Sequence, residues 1–265
     1  MVELTREVRC FWHSGNAAAN RAAILNAWAG WPGTQVLAPF LVWRCSLRGP
    51  ISPETDYLCN VKWVDQIVRG QFERTRDRHP PTHPPGPIGL LGDVYASVRT
   101  EVAAAGTIEL TRLEMDLSPF LQFAIESRED QMVCVTHEYE FSAAHRLHHH
   151  GWSVEENQTV YGKCNNPHGH GHNYVVQVTW KLPRTAEPTL SLETWDAVVK
   201  QHVIERLDHR HLNVEVPPFD RLNPTVENIA VTIWDWLVEK FAPPLQLHNV
   251  RVYETPKTWA DYCGS

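Results

Sequence analysis

The sequence has no pair of cysteines at C-x-x-C spacing; its six cysteines are scattered singly at Cys10, Cys45, Cys59, Cys134, Cys164 and Cys263. With no secretion signal either, the thiols are expected to be mostly reduced. No apolar run approaches the roughly 20 residues of a membrane span. The opening M-V-E-L-T-R-E-V lacks the apolar centre of a signal peptide. Excess positive charge is missing too: the formal net charge is -7 and the pI about 6.1. These absences argue against nucleic-acid and membrane partners and give the expectation of a soluble, cytoplasmic protein. The rest is an ordinary globular composition, 43% apolar and 21% charged over 265 residues, enough for one large domain or two of usual size. One residue type is abundant: of fifteen histidines, eight lie between His137 and His172.

The histidines centre on Tyr161 to Tyr174, Y-G-K-C-N-N-P-H-G-H-G-H-N-Y, which runs straight into the strand-like V-V-Q-V-T-W. In an extended chain His170 and His172 project from one face and can share a metal ion. His145, in F-S-A-A-H-R-L, is the candidate third ligand. Three neutral imidazoles leave the fourth position of a tetrahedral zinc ion to water or substrate, the arrangement of a catalytic site. Spacing leaves Cys164 open between fourth ligand, core thiol and reactive thiolate. Asp208-His209 follows a predicted helix and suits the orientation of a base. Glu227 falls in the first turn of another helix, where the macrodipole favours a carboxylate, and Glu254 near a strand end. His148, His149 and His150 read as a solvated loop, His168 as a loop residue or substrate neighbour, and the other five cysteines as small core residues.

In chain order, the pattern predicts a strand over Glu7–Trp12 and a helix over Asn16–Trp31. A strand from Phe40 and an amphipathic helix ending near Arg69 follow. Phe72–Pro87 reads as a charged, proline-rich loop, Ile88–Ala104 as a helix, Thr107–Met115 and Gln122–Ile125 as strands, and Glu126–Asp130 as a linker. The order then repeats. Strands over Val133–Phe141 and Tyr174–Leu182 precede a short strand leading to a helix after Pro188, a helix over Thr225–Lys240, and a strand over His248–Thr255. Both halves read β-β-α-α-β, which predicts an α+β protein of two related units, residues 1–126 and 131–265. Only the second carries the chemistry. The first has His13 but no H-G-H, and its Glu114 falls where Glu254 falls, as a relic or an exposed strand residue.

Five blocks of the second unit, F-S-A-A-H-R-L, E-E-N-Q-T-V-Y-G-K-C-N-N-P-H-G-H-G-H-N-Y, L-D-H-R-H-L-N, P-T-V-E-N-I-A-V-T-I-W and V-Y-E-T, stand in one order. In that order they resemble the 6-pyruvoyltetrahydropterin and 6-carboxytetrahydropterin synthase family, from about Val133 to Gly264. The resemblance implies that His145, His170 and His172 bind zinc, that Cys164 is the catalytic base, and that Asp208 and His209 complete its proton relay. It implies that Glu254 holds the pterin and joins the relay, and that Thr225 and Glu227 line the pterin pocket. The implied fold is the tunnelling fold, an antiparallel sheet backed by two helices, with active sites at subunit interfaces. In the first unit only that fold carries over. The expected activity is a zinc-dependent lyase reaction on 7,8-dihydroneopterin triphosphate that expels triphosphate. The product is the pyruvoyl or, alternatively, the carboxy pterin of the deazapurine route. A non-catalytic, zinc-stabilised pterin-binding or assembly protein is the reading from another class. A homotrimer of tandem units would reproduce a ring of six.

Overall fold

The computed structural model describes residues 1–12, 39–79, 84–189 and 191–264. Contacts divide the chain into two compact units, Met1–Val135 with Leu182–Thr189, and Thr136–Lys181 with Leu190–Ser265. The helix expected over Asn16–Trp31, and His13, lie outside the described residues. Among those described, no helix is long and apolar enough to cross a membrane.

The first unit contains β1 (Val2–Phe11), β2 (Phe40–Gly49), α1 (Val61–Arg78), α2 (Pro87–Ala104), β3 (Glu109–Ser118) and β4 (Leu121–Glu126). Its strands pair in the order β1-β2-β3-β4, each antiparallel to the next. Alternation sorts their side chains. Trp43, Leu47, Leu113, Met115, Phe123 and Ile125 are fully buried together with Val68 and Phe72 of α1 and Leu91 and Val98 of α2. Each such side chain contributes about 1.5–3 kcal/mol of burial. The alternate positions carry charge: Arg44 meets Glu7, Glu114 and Asp116, and Arg112 meets Glu114 and Glu126. Glu114 is thus a member of an ion-pair ladder, on the opposite face from its buried neighbours Leu113 and Met115.

Two expectations fail here. Phe72–Arg78 is not loop; α1 continues to Arg78, because Phe72 packs on Trp43 at 6.0 Å and Trp12 at 5.7 Å, and apolar packing outweighs the charged composition. The helix starts where the Asn60 side chain accepts a hydrogen bond from the Lys62 N–H. Among the cysteines, Cys10, Cys45 and Cys134 are core residues, whereas Cys59 is half-buried and Cys263 exposed.

The second unit holds most of β5 (Met132–His145), then α3 (Val154–Tyr161), β6 (His170–Pro183), α4 (Leu192–Val199), α5 (Glu205–Leu207), β7 (Arg210–His211), α6 (Leu212–Glu215), α7 (Val226–Leu237), β8 (Gln246–Thr255) and β9 (Thr258–Tyr262). Strand order is β5-β6-β8-β9, with the two-residue β7 pairing parallel to β5. Trp180 of β6 stacks at a tilt on Trp195 of α4, and Ile229, Ile233 and Leu237 of α7 are buried. α7 is capped by Thr225, whose hydroxyl accepts from the Asn228 N–H. Among the described residues the short strand expected after Pro188 does not form: Thr189 closes a 3₁₀ segment and Leu192 already opens α4, whose Trp195 and Val199 are buried. β9 was not foreseen. A π-helical turn, Lys200–Ile204, joins α4 to α5 just ahead of Asp208.

Candidate metal and pterin site

β5 ends on His145 and β6 begins on His170, so strand alternation gives His170 and His172 one face and places His145 beside them. The three imidazoles contact pairwise, with ring centroids 4.5, 5.2 and 4.8 Å apart. One nitrogen from each lies within 4.8 Å of the others, and Nε2 of His145 and His170 are 3.1 Å apart. Ligand nitrogens around a tetrahedral ion are about 3.3 Å apart, given metal–nitrogen bonds near 2.0–2.1 Å. The tautomer suits a ligand: the fully buried His145 donates from Nδ1 to the Pro224 carbonyl at 2.7 Å, leaving Nε2 with its lone pair toward the cluster. Burial pushes the His145 ring down to about 4, so it is neutral at ordinary pH. The buried Nε2 of His172 has no hydrogen-bond partner among the described residues. This donor set fits a divalent cation such as zinc.

The turn before β6 is tight. Gly169 has φ +73°, and a Cβ there would come within 2.8 Å of His211 Nε2 and 2.9 Å of the His145 carbonyl oxygen. Glycine is needed at 169 for both backbone and space.

Glu254, on β8, brings Oε1 to 3.5 Å from His145 Nε2 and 3.7 Å from His172 Nε2. Cys164 sits half-buried in a 3₁₀ turn, Gly162–Asn165, whose carbonyl at Cys164 accepts from the Leu147 N–H. Burial first, and Glu254 second, push its thiol up. Asn165 and Asn157 fix this region and were missed in the sequence. Asn165 Oδ1 accepts from Arg146, and Asn157 Oδ1 accepts from the His149 N–H while its Nδ2 donates to three carbonyls. His148, read as solvated, is half-buried, with Nδ1 2.9 Å from Asn165 Oδ1. His149, His150 and His168 are exposed.

Asp208 and His209 form their own assembly. Asp208 Oδ1 accepts from the Ser142 N–H at 2.8 Å, and Oδ2 lies 2.8 Å from His209 Nδ1. The Ser142 amide first, and His209 second, hold the Asp208 carboxyl below its usual range. His209 has φ +57° and an 82% exposed side chain, and shares a cleft of about 490 Å³ with His172 and Asn173. Among the described residues neither Asp208 nor His209 bonds to Cys164. Thr225 and Glu227 lie at the N-terminus of α7, Thr225 half-buried and Glu227 exposed, directly after the Pro224 carbonyl that holds His145.

Comparison with known proteins agrees with this geometry. A 6-pyruvoyl tetrahydropterin synthase family model matches residues 134–265. The 6-pyruvoyl tetrahydrobiopterin synthase of Drosophila melanogaster is 41% identical over 47% of this chain and 75% of its own length. That of Homo sapiens is 40% identical over 49% of this chain and 90% of its own. A 6-carboxy-5,6,7,8-tetrahydropterin synthase of Synechocystis sp. is 34% identical over 47% of this chain and 88% of its own. With the matched segment containing all three clustered imidazoles, Cys164 and Glu254, the chain belongs to the 6-pyruvoyl tetrahydropterin synthase family.

Proposed function

We propose that the chain is a zinc-dependent lyase that converts 7,8-dihydroneopterin triphosphate to 6-pyruvoyltetrahydropterin and free triphosphate. The observation that carries the reading is the convergence of His145, His170 and His172, with His145 held in the ligand tautomer by Pro224. When bound there, a zinc ion supplies Lewis acidity to a side-chain hydroxyl of the substrate and lowers the pKa of nearby acids. Cys164 as thiolate takes the proton from the side-chain carbon, and the pterin ring is reduced as the side chain is oxidised, so no external reductant is needed. Glu254 accepts paired hydrogen bonds from the amino-pyrimidinone edge, with Thr225 and Glu227 lining the pocket, so that the reacting carbon is held in place. Asp208 orients His209, which passes the proton on. Incubation with the substrate and mass analysis of the products tests this. Triphosphate with a pyruvoyl pterin is the expected result; acetaldehyde marks the carboxy alternative, and neopterin binding without turnover marks a binding protein. The greater similarity to the pyruvoyl relatives favours the first.

The same reading takes 1–126 and 131–265 as tandem tunnelling-fold units. What supports it is the common order of two strands, helices and two strands in each half, β1-β2-β3-β4 and β5-β6-β8-β9. A trimer of such chains would form the ring, with active sites at subunit interfaces. Because Cys164 and the Asp208–His209 pair do not touch within one chain, the pair of one copy would serve Cys164 of another. Mixing Cys164→Ala with His209→Ala after partial dissociation is therefore expected to restore activity that neither variant has alone. Strictly additive residual rates would confine the relay to single chains.

A further inference from the structure

Tyr174 lies inside the site and has no role in the reading above. It is fully buried on β6, two residues beyond His172 and on the same face. Its ring stacks on Phe141 at 4.8 Å and 10°, and stands edge-on to His145 and His172 at 6.1 and 5.5 Å. Packing therefore fixes the ring on three sides. Its hydroxyl, however, is buried with no hydrogen-bond partner among the described residues. An unmade hydrogen bond at a buried phenol is costly, and tyrosine is a poor choice where phenylalanine would fill the same space.

The missing partner is suggested by the strand register. The β6–β8 ladder ends on Val176 with Val252 and Val175 with Tyr253, and Tyr174 and Glu254 are the next residue on each strand. Both side chains face the histidine cluster. Glu254 is equally unengaged: its contacts are the two imidazoles at 3.5 and 3.7 Å, beyond hydrogen-bond length, and it accepts no hydrogen bond from a described residue. A donor without an acceptor and an acceptor without a donor thus stand at the same end of the ladder, both beside the histidine cluster.

We propose that Tyr174 is a positioning residue for Glu254, its hydroxyl donating to the carboxylate and turning it to receive the pterin. This rests on the assignment of Glu254 as pterin holder. The hydrogen bond forms in the liganded protein, when Glu254 leaves the imidazoles; the ligand-free protein bears the orphaned hydroxyl as local strain, as sites prepared for a ligand do. The pair is charge-assisted, the stronger kind of hydrogen bond.

The test is a double-mutant cycle on the full-length chain with Tyr174→Phe and Glu254→Gln, read by neopterin fluorescence titration, thermal midpoint and metal content. Y174F should retain the metal and melt at or above the unaltered midpoint, because only an unpaired hydroxyl is lost. Its neopterin affinity should fall about 10-fold or more. The double variant should bind no worse than the weaker single one, since both changes break one interaction. Unchanged neopterin affinity in Y174F, multiplicative losses, or a drop in midpoint or metal content would each overturn the proposal. Absence of neopterin binding by the unaltered chain would instead overturn the functional reading on which it stands.

Discussion

Replacement of Cys164 by alanine is expected to lower triphosphate release by roughly 10²–10⁴-fold, the range for loss of a general base, with bound metal per chain unchanged. The expectation comes from the composition of the site. The three histidines offer a candidate ligand set without a thiol, and Cys164 is absent from the group of side chains whose donor atoms converge. Its turn is held from the protein side by the Leu147 amide and by Asn165, so alanine should leave the backbone in place. Burial and Glu254 push the thiol up in the absence of a cation. Chelator-treated protein should therefore alkylate slowly at Cys164 at neutral pH, and zinc should accelerate it, because thiolate is the reactive form. Metal analysis beside initial rates checks both points. Loss of metal in C164A would make the thiol a ligand and sink its assignment as base.

Substitution of His172 by alanine is expected to have the other large effect: loss of tightly bound metal and, with it, of turnover. His172 is the best candidate ligand to remove, because its side chain is 20% exposed, whereas His145 is wholly buried and tied to Pro224. Removing His145 would leave both a cavity and an unpaired carbonyl, confounding metal loss with unfolding. H172A leaves two imidazoles, too few to hold zinc against a mild chelator. Metal retained at full stoichiometry after chelator dialysis would rule out the three-histidine site. The metal-free protein should also melt lower than the loaded one, by an amount that grows with free metal concentration.

The parts of this site legible in the sequence are those governed by a local period. His170 and His172 fall in phase because β6 alternates every second residue, and the helix expected from Thr225 does begin there, where the structure shows the Thr225 hydroxyl capping α7. What escaped depends on contacts remote in sequence. The Pro224 carbonyl that fixes the His145 tautomer lies 79 residues away, and the Ser142 amide that holds Asp208 lies 66 away. Tyr174 looked like an ordinary strand aromatic, and only its missing hydrogen bond distinguishes it. In the first unit the misreading of Phe72–Arg78 had the opposite cause. Local composition was charged, but Phe72, Thr75 and Arg76 are all buried, and tertiary packing extended the helix through them. Glu114 matched Glu254 by place in the pattern yet faces a ladder of arginines, since a shift of one residue along a strand exchanges its two faces.

Ser142 and His145 stand three residues apart near the end of β5. The first anchors Asp208 through its amide and accepts the His209 N–H on its carbonyl; the second belongs to the histidine cluster. Strand parity between them is thus under double constraint. Inserting or deleting one residue in this interval would carry His145 to the opposite face while Ser142 kept its hold on Asp208. Length variation among related chains should therefore be excluded from these three steps even where the composition of β5 drifts freely, and grafting the site onto another sheet would have to preserve that interval before any of its side chains.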